Sequence, residues 1–296
     1  MDELSLLLSR FAVSAGVFYT GRICGIHAFP EDAARGHLHL IEQGPVDLVD
    51  AHGATRRIVE PSILFLPRPE RHRLVADDGA GAQVLCATVR FGGGSNNNPV
   101  SDSLPEVVAI ELQKVDGATA LLALVTQEAF GGEAGAQTAV DRLCELLMIR
   151  LLRHCLREGL TTGGTLAGLS DPRLAKALAA IHRDPTRPWE LEDMAAQAGM
   201  SRARFAARFR EVTGQTPLHY LAGWRIAVAQ NLLKSGRAMK QVSLESGYGS
   251  SSAFTRAFVR QVGMAPTAWL RNIEAAAARE LEESRSHAPA AGARTS

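Results

Sequence analysis

The chain has 296 residues, 46% of them hydrophobic and 21% charged, and a formal net charge of +1. This composition is typical of a soluble globular protein, and the length suffices for two ordinary domains. No apolar run approaches the roughly 20 residues that span a bilayer. The acidic start "MDELSLLLSRF" lacks the basic segment that begins a secretory signal. We therefore expect a cytoplasmic protein that does not enter a membrane.

The charge is spread unevenly along the chain. Between residues 171 and 271 there are 15 lysines and arginines against 7 acidic residues, a local charge of +8 that leaves −7 for the rest. A basic segment joined to an acidic one indicates that the basic part meets a polyanion.

Short strand-like runs fill the chain from about residue 13 to residue 91. Segments such as "HLHLIEQG", "SILFLP" and "AQVLCATVRF" are apolar or alternate between apolar and polar residues. Turns rich in Gly, Asp or Pro separate the runs about every ten residues. This spacing predicts a β-sandwich or a small β-barrel.

An amphipathic helix is predicted next, from about Gln137 to Leu156. Charged residues fall between apolar residues that recur every three or four positions, namely Val140, Leu143, Leu147 and Leu151. The stripe is wider than one barrel face is expected to cover. We therefore predict that this helix pairs two chains in a homodimer.

A segment rich in Gly and Thr, "REGLTTGGTLAGLS", is typical of a domain linker. The predicted organisation is a sensor and dimerisation domain over residues 1–157, a linker over 158–170 and a helical domain over 171–272. The tail, residues 273–296, ends in Ala, Pro, Gly and Ser with nothing to bury, so we expect it to be disordered.

The helical domain contains one plan twice: a helix, a glycine turn and a second helix with a cationic face. The turns fall at Gly199 and Gly247, and Ser201 caps the helix after the first turn. Each second helix carries two aromatic residues for its buried face, Phe205 and Phe209 in the first copy and Phe254 and Phe258 in the second. This pattern predicts two helix-turn-helix units, whose second helices enter the major groove of double-stranded DNA.

One long helix is predicted between these units. Thr216 caps it, Pro217 is its first residue and Gly236 follows its end. Its apolar stripe consists of Leu218, Leu221, Trp224, Val228 and Leu232. Such a helix would hold the two recognition helices about 34 Å apart, on successive faces of the major groove.

The helical domain resembles the DNA-binding domain of AraC/XylS-family transcription regulators. The resemblance rests on "LEDMAAQAGMSRARFAARFREVTGQTPLHYLAGWRIAVAQNLL" and above all on "VSLESGYGSSSAFTRAFVRQVGMAPTAWLR". It implies that DNA is contacted by Arg202, Arg204, Arg208, Ser251, Ser252, Thr255 and Arg256. The first recognition helix departs from the family pattern because it carries Ala203, Ala206 and Ala207. Either this helix makes few base contacts, or the flanking arginines make them.

Histidines in the strand region suggest a second kind of site. His37 and His39 share one face of a strand, and "PRPERH" brings His72 after a turn. The strand region thereby resembles the cupin-type sensor domains that precede AraC-type DNA-binding domains. This resemblance implies one transition-metal ion held by the three histidines. The motif departs from the cupin pattern in two places, because Glu42 follows too closely and Pro69 replaces a glycine. The alternative is that the histidines pack in the barrel, or line a pocket, without metal.

Cysteines suggest a rival redox site. The four cysteines form no C-x-x-C pair, which argues against a zinc ribbon. Cys24 has Arg22 and His27 as neighbours that favour a thiolate, and Cys86 lies in another strand-like run. A reversible disulfide or sulfenate at Cys24 and Cys86 would reshape the domain. The alternative is two buried thiols that act as small hydrophobic residues.

The sequence therefore predicts an α+β protein, with an N-terminal cupin-like barrel and dimerisation helices ahead of an all-α domain with two helix-turn-helix units. We expect a transcription regulator, not an enzyme. It would bind promoter DNA as a homodimer, contact RNA polymerase and respond to an oxidant, a small molecule or a metal ion. Two alternatives stay open: a metal-dependent cupin enzyme with an accessory DNA-binding domain, and a DNA-binding protein whose barrel only dimerises. The sequence identifies neither inducer nor operator, and it does not separate an activator from a repressor.

Overall fold

The computed structural model describes residues 2–31, 35–92 and 98–275. They form two compact units: an N-terminal unit of residues 2–184 and 189–221, and a C-terminal unit of residues 185–188 and 222–275. Residues 266–275 are helical, and the rest of the tail expected to be disordered lies outside the described residues. None of the helices in the described ranges is long and apolar enough to cross a membrane.

The N-terminal unit contains two antiparallel sheets. The strands in the described residues are β1 (Val13–Ile23), β2 (Gly25–Phe29), β3 (Gly36–Gln43), β4 (Val46–Val49), β5 (Thr55–Ile58), β6 (Ser62–Leu66), β7 (His72–Ala76), β8 (Ala82–Phe91) and β9 (Val108–Glu111). One sheet has the order β1-β8-β3-β6-β9 and the other the order β2-β7-β4-β5. This arrangement confirms the predicted cupin-like β domain.

Apolar side chains from both sheets meet in one core. Strands β3 and β6 lie inside the larger sheet, where residues 36–41 and 62–66 are all buried. Both faces of these strands are therefore covered. The core shared with the smaller sheet includes Ile23, Ile41, Val46, Leu48, Leu64, Leu74 and Val84.

Helices make up most of the remaining described residues. The α-helices are α1 (Glu3–Arg10), α2 (Ala118–Gly131), α3 (Ala136–Arg157), α4 (Gly164–Ser170), α5 (Leu174–Arg183), α6 (Leu191–Gln197), α7 (Arg202–Thr213), α8 (Pro217–Lys234), α9 (Met239–Glu245) and α10 (Ser251–Val262). Short 3-10 helices lie at Ser101–Ser103 and Leu112–Lys114. The helical C-terminal half expected from the sequence is confirmed.

The apolar stripe of α3, predicted to be a dimer interface, lies in the core of a single chain. Leu147 and Leu151 are at most 1% exposed, because α3 packs against β1 and α2. Asp141 on α3 also accepts a hydrogen bond from the Val17 N–H of β1, at 2.9 Å. This stripe is therefore not a surface that a second chain would contact, which corrects the predicted interface.

Part of the predicted linker folds into α4. Leu166 is fully buried, and α4 packs against α5 and α7. The absence of a side chain at Gly168 permits this approach: a Cβ there would lie 2.6 Å from Leu178 Cδ1 and 3.2 Å from Thr213 Cγ2. Residues 164–170 are thus a packed element of the N-terminal unit rather than an extended spacer.

Both predicted helix-turn-helix motifs are present, as α6–α7 in the N-terminal unit and α9–α10 in the C-terminal unit. Their turns contain Gly199 and Gly247, whose φ angles of 63° and 84° favour glycine. The predicted aromatic residues are fully buried: Phe205, Phe209, Phe254 and Phe258. Ser250 caps α10 by accepting the Ala253 N–H at 3.2 Å. Ser201 occupies the N-cap position of α7, as predicted, but within the described residues its side chain makes no capping hydrogen bond.

Helix α8 begins in the N-terminal unit and ends in the C-terminal unit. It starts at Pro217, as predicted, and most of the predicted stripe is buried, including Leu221, Trp224 and Val228. Leu218, however, is 52% exposed, so the predicted stripe is wrong at its first position. The distance between the two recognition helices stays a prediction.

Candidate DNA-binding surface and sensor site

The first candidate DNA-binding surface is α7. Arg202, Arg204 and Arg208 are all exposed along this helix. Arg202 Nη1 donates to Glu192 Oε1 at 2.8 Å, an exposed ion pair of the kind that stabilises little and that phosphate can replace. Within the described residues Arg204 forms no ion pair. Arg202 and Arg204 are therefore both available to DNA.

Arg208 has a different environment. Its Nε donates to Asp171 Oδ2 at 2.9 Å, and its Nη1 lies 3.2 Å from Glu211 Oε1. The Asp171 side chain is only 12% exposed, whereas that of Arg208 is 44% exposed. The Arg208 guanidinium is thus already engaged by the protein.

The second candidate surface is α10. Ser252 and Arg256 are exposed there. The other two predicted contacts use their hydroxyls within the fold: Thr255 Oγ1 donates to the Ser251 backbone oxygen at 2.8 Å, and Ser251 Oγ lies 3.4 Å from Ser243 Oγ. Ser252 and Arg256 are therefore the predicted contacts on α10 that are best placed to reach base edges or phosphates.

The predicted histidines meet inside the barrel. His37 and His39 lie on β3 and His72 begins β7, and the centroids of the three rings are 5.0–6.0 Å apart. Phe29 packs against all three and stacks on His72 at 4.9 Å. Cys86 joins them because the register of β3 and β8 places it opposite His39. Each histidine and Cys86 is at most 5% exposed.

Cys86, His39 and His72, here called the buried triad, form a hydrogen-bonded chain with a defined direction. His72 Nδ1 lies 3.1 Å from the Glu70 backbone oxygen, which only accepts, so Nδ1 carries the proton. His72 Nε2 then accepts, and His39 Nε2, 2.7 Å away, donates. His39 Nδ1 is left to accept from the Cys86 thiol, whose sulfur is 3.1 Å away. The thiol proton therefore points at a basic nitrogen.

Burial keeps the buried triad uncharged. It lowers the pKa of His72 to about 4 and that of His39 well below its usual value, because the imidazolium forms would lose their hydration. Burial likewise raises the pKa of Cys86 to about 12. At neutral pH the triad consists of two neutral imidazoles and a thiol.

The histidines do not fit the metal ion that the cupin resemblance implies. The Nε2 atoms of His39 and His72 are 2.7 Å apart. Two nitrogens bound to one tetrahedral ion would be roughly 3.3 Å apart. Glu42 is exposed, so it does not complete the set. No group of three His, Cys, Asp or Glu side chains among the described residues is arranged to hold an ion. The predicted metal ligands come together, but as a hydrogen-bonded cluster.

The second predicted redox residue lies away from this cluster. Cys24 is exposed, and a Cβ added at Gly81 would lie 2.8 Å from its sulfur. Cys86 is five residues beyond Gly81, along β8. Since strand residues advance by about 3.3 Å each, the two cysteines are on the order of 15 Å apart. A disulfide bridges Cα atoms no more than about 7 Å apart, so this fold does not allow a direct Cys24–Cys86 bond.

Sequence reasoning missed a polar network around Tyr220. The Tyr220 hydroxyl is hydrogen-bonded to His182 Nε2 at 2.6 Å and to Thr165 Oγ1 at 3.2 Å. Burial lowers the pKa of His182 to about 3, so its imidazole is neutral. The three residues lie on α8, α5 and α4, and no spacing in the sequence relates them. The one sequence signal is a histidine directly after the apolar residues 177–181 of α5.

Comparisons with known proteins match both halves of the chain. A cupin family model matches residues 2–157, and a helix-turn-helix domain model matches residues 194–272. An AraC-like transcription regulator of Streptomyces lividans is 36% identical and covers 90% of this chain and 95% of its own. Another, of Streptomyces antibioticus, is 30% identical with the same coverage of both chains. Among solved structures, unsaturated fatty acid-bound ToxT of Vibrio cholerae is 17% identical, with a TM-score of 0.40, and covers 88% of this chain and 94% of its own.

A cupin domain followed by two helix-turn-helix motifs with exposed cationic helices defines a DNA-binding regulator. The chain belongs to the AraC family of transcription regulators, and its helix-turn-helix domain binds promoter DNA. It is a regulator rather than a cupin enzyme, because relatives that span nearly its whole length are named transcription regulators.

Proposed function

We propose that the barrel reads a chemical signal at the buried triad and that this signal alters promoter binding or activation. The triad itself carries the proposal. Replacing both partners of a buried hydrogen bond with apolar side chains of the same shape can be nearly neutral or even stabilising. A barrel that only joined two chains would therefore not need polar side chains at these positions, so the triad indicates a chemical role.

An oxidant fits the buried triad better than the metal ion or small molecule also expected from the sequence. His39 Nδ1 is placed to take the Cys86 proton as the sulfur attacks a hydroperoxide. An S–O bond forms, the O–O bond breaks, and the leaving hydroxide or alkoxide takes the proton back from His39. The sulfur is oxidised to a sulfenic acid and the peroxide is reduced. Because burial raises the pKa of Cys86 to about 12, the thiolate is scarce without this base.

Oxidation at this place would change the shape of the barrel. The sulfenic acid adds an oxygen atom beside a residue that is 1% exposed. Protein interiors are close-packed and accept extra atoms only when neighbours shift. His39 or the adjoining strands must therefore move, which converts a chemical event into a structural one.

On the DNA side, we propose that Arg202, Arg204, Ser252 and Arg256 make the contacts. All four are exposed. Arginine can donate hydrogen bonds to guanine edges or to phosphates, and a serine hydroxyl can bond to base edges or to phosphates. Ser251 and Thr255 support α10 instead, through their hydroxyl contacts.

A homodimer and a contact with RNA polymerase belong to the same proposal. Sedimentation of the full chain tests the first, and transcription with purified polymerase tests the second.

The sensing proposal is tested with the full chain and a fragment of its own promoter region. Hydrogen peroxide should change the Kd for this DNA, and thiol should restore it. Cys86→Ser should abolish the response and leave the circular dichroism spectrum unchanged. Cys144→Ser is the matched control, because Cys144 is also buried and its pKa is also raised to about 12. It should respond like the unchanged protein.

Other outcomes would exclude Cys86 as the sensor. A peroxide response that survives in Cys86→Ser would point to another residue, with the exposed Cys24 the first to examine. DNA binding that responds to a chelator and not to peroxide would support the metal instead. DNA binding that responds to neither would leave a small organic inducer.

A further inference from the structure

Asp171 connects three helices of the N-terminal unit. It directly follows α4, and its Oδ1 accepts the N–H groups of Arg173 and Leu174 at 3.0 and 3.1 Å, which fixes the start of α5. Its other oxygen, Oδ2, accepts the Nε of Arg208 on α7 at 2.9 Å. One carboxylate thus holds the first recognition helix on the junction between α4 and α5.

The start of α4, at the other end of this helix from Asp171, is held by the 3-10 helix Ser101–Ser103. Ser103 Oγ accepts the Leu166 N–H at 3.1 Å and donates to the Pro99 backbone oxygen at 2.7 Å. The Ser103 backbone oxygen accepts the Thr162 N–H at 3.0 Å. Backbone groups at the start of α4 are thereby satisfied by a segment that leads out of β8.

Arg68 extends these contacts to the loop before β7. Its Nη1 donates to the backbone oxygens of Ser101 and Leu104, both at 3.0 Å. Its Nε lies 3.7 Å from Glu70 Oε1. The Glu70 backbone oxygen accepts from His72 Nδ1 at 3.1 Å. A continuous series of contacts therefore runs from the buried triad to α7.

We propose that Arg208 is a positioning residue rather than a DNA contact: through Asp171 it fixes the first recognition helix on the α4–α5 junction, and Ser103 and Arg68 hold that junction on the barrel. The positioning is independent of any signal. Only its regulatory consequence rests on the proposed function, because a change at His72 would reach α7 through the same contacts.

The direction in which one substitution changes DNA affinity distinguishes a positioning role of Arg208 from a direct DNA contact. Asp171→Asn removes a negative charge close to α7, which by electrostatics alone should tighten binding to DNA. The asparagine oxygen can still accept the two N–H groups that start α5, so the fold is retained. If Asp171 acts by holding Arg208, affinity for a fragment of the protein's own promoter region should instead fall, by roughly five- to tenfold.

Salt dependence supplies a second readout. A lost phosphate contact lowers the slope of log Kd against log salt by about one. Arg208→Gln should weaken binding as much as Asp171→Asn does, with the slope unchanged. The double variant should be no weaker than either single one, because both remove the same contact. Arg204→Gln is the matched control on the same helix, and it should lower the slope by about one.

Hydrogen exchange in the full chain tests the link to the barrel. Arg68→Met removes the hydrogen bonds to the backbone oxygens of Ser101 and Leu104, so amide exchange across residues 162–174 should accelerate several-fold. Arg57→Met is the control, because Arg57 pairs with Asp47 on the barrel surface. It should leave exchange in that segment unchanged.

Three results would each overturn part of the proposal. Tighter DNA binding by Asp171→Asn, or a salt slope lowered equally by Arg208→Gln and Arg204→Gln, would make Arg208 a direct contact. Unchanged exchange in Arg68→Met would remove the link to the barrel. If peroxide leaves DNA binding unaltered while Asp171→Asn weakens it, the proposed redox signal fails and the positioning role stands.

Discussion

His39, His72 and His182 are held uncharged in the folded protein because burial lowers the pKa of each. The ring nitrogens that do form hydrogen bonds have neutral partners, such as the Cys86 thiol for His39 Nδ1 and the Tyr220 hydroxyl for His182 Nε2. In the unfolded chain the same imidazoles titrate near 6.5. Folding therefore prevents these residues from taking up a proton, and stability must depend on pH.

We predict that the protein loses stability as the pH falls below about 6.5. The folded pKa values, about 4 for His72 and about 3 for His182, lie below the unfolded ones, so the unfolded chain binds protons first. The stabilisation is complete above the unfolded pKa and is lost as the pH falls toward the folded pKa. Each such histidine should lower the free energy of unfolding by about 1.4 kcal/mol between pH 7.5 and pH 5.5.

Urea denaturation at the two pH values measures this loss. His182→Gln should make the loss smaller, because one titrating group is removed. His52→Gln, at an exposed position, should leave it unchanged. Equal stability at both pH values would show that the three imidazoles are not buried as described.

The residues of the site could be predicted from the sequence, but their connections could not. His37, His39, His72 and Cys86 stand out as chemical groups in a strand pattern. The bond between His39 and Cys86, however, joins positions 47 residues apart and depends on the register of β3 and β8. Register is fixed by turns and by the buried faces of whole strands, so no local motif contains it.

At the scale of elements, periodicity predicts which segments become helices but not what covers them. The spacing in α3 is correct, yet its stripe packs on β1 and α2 of the same chain. A wide apolar face is compatible with a dimer or with a core, and only tertiary structure decides between them. The glycines of the linker segment mislead in a similar way, because Gly168 serves close helix packing rather than flexibility.

We predict that Leu147→Asp unfolds the N-terminal unit instead of separating a dimer. Leu147 is 0% exposed, and an unpaired carboxylate there should cost at least about 4 kcal/mol of stability. Leu146→Asp, at the adjacent position that is 38% exposed, should cost less than about 1 kcal/mol. Thermal denaturation followed by circular dichroism compares the two. If the Leu147→Asp protein is instead folded and monomeric, the apolar stripe of α3 is a dimer interface after all.

At the scale of the whole molecule, the order of domains follows from the sequence because each half carries a strong local signal. Period-two strands with regular turns identify the β domain, and the repeated helix, glycine turn and helix identify the DNA-binding domain. The helix within the segment that joins them could not be predicted. Residues 158–170 carry a single charged residue, Glu158, and no periodicity. Yet α4 lies within them and packs on α5 and on α7 of the first helix-turn-helix motif.

We predict that a DNA-binding fragment must begin before α4. A fragment of residues 171–275 contains both helix-turn-helix motifs but lacks Leu166, which is 0% exposed, and Thr165, whose hydroxyl meets that of Tyr220 at 3.2 Å. Burying one leucine contributes about 1.5–3 kcal/mol, so this fragment should be less stable than residues 163–275 by at least that amount. Urea denaturation of the two fragments measures the difference.

The same two fragments separate the role of α4 from that of the DNA contacts. Residues 163–275 should bind a fragment of the protein's own promoter region with affinity that falls steeply with salt, because the basic helices release counterions. Arg256→Ala in this fragment should weaken binding by about 1–3 kcal/mol if Arg256 contacts a base. Residues 171–275 should bind more weakly at every salt concentration, with the same slope, because fewer molecules are folded while the contacts are identical. Equal stability and equal affinity of the two fragments would show that α4 belongs to the barrel alone, and the DNA-binding domain would then begin at Asp171.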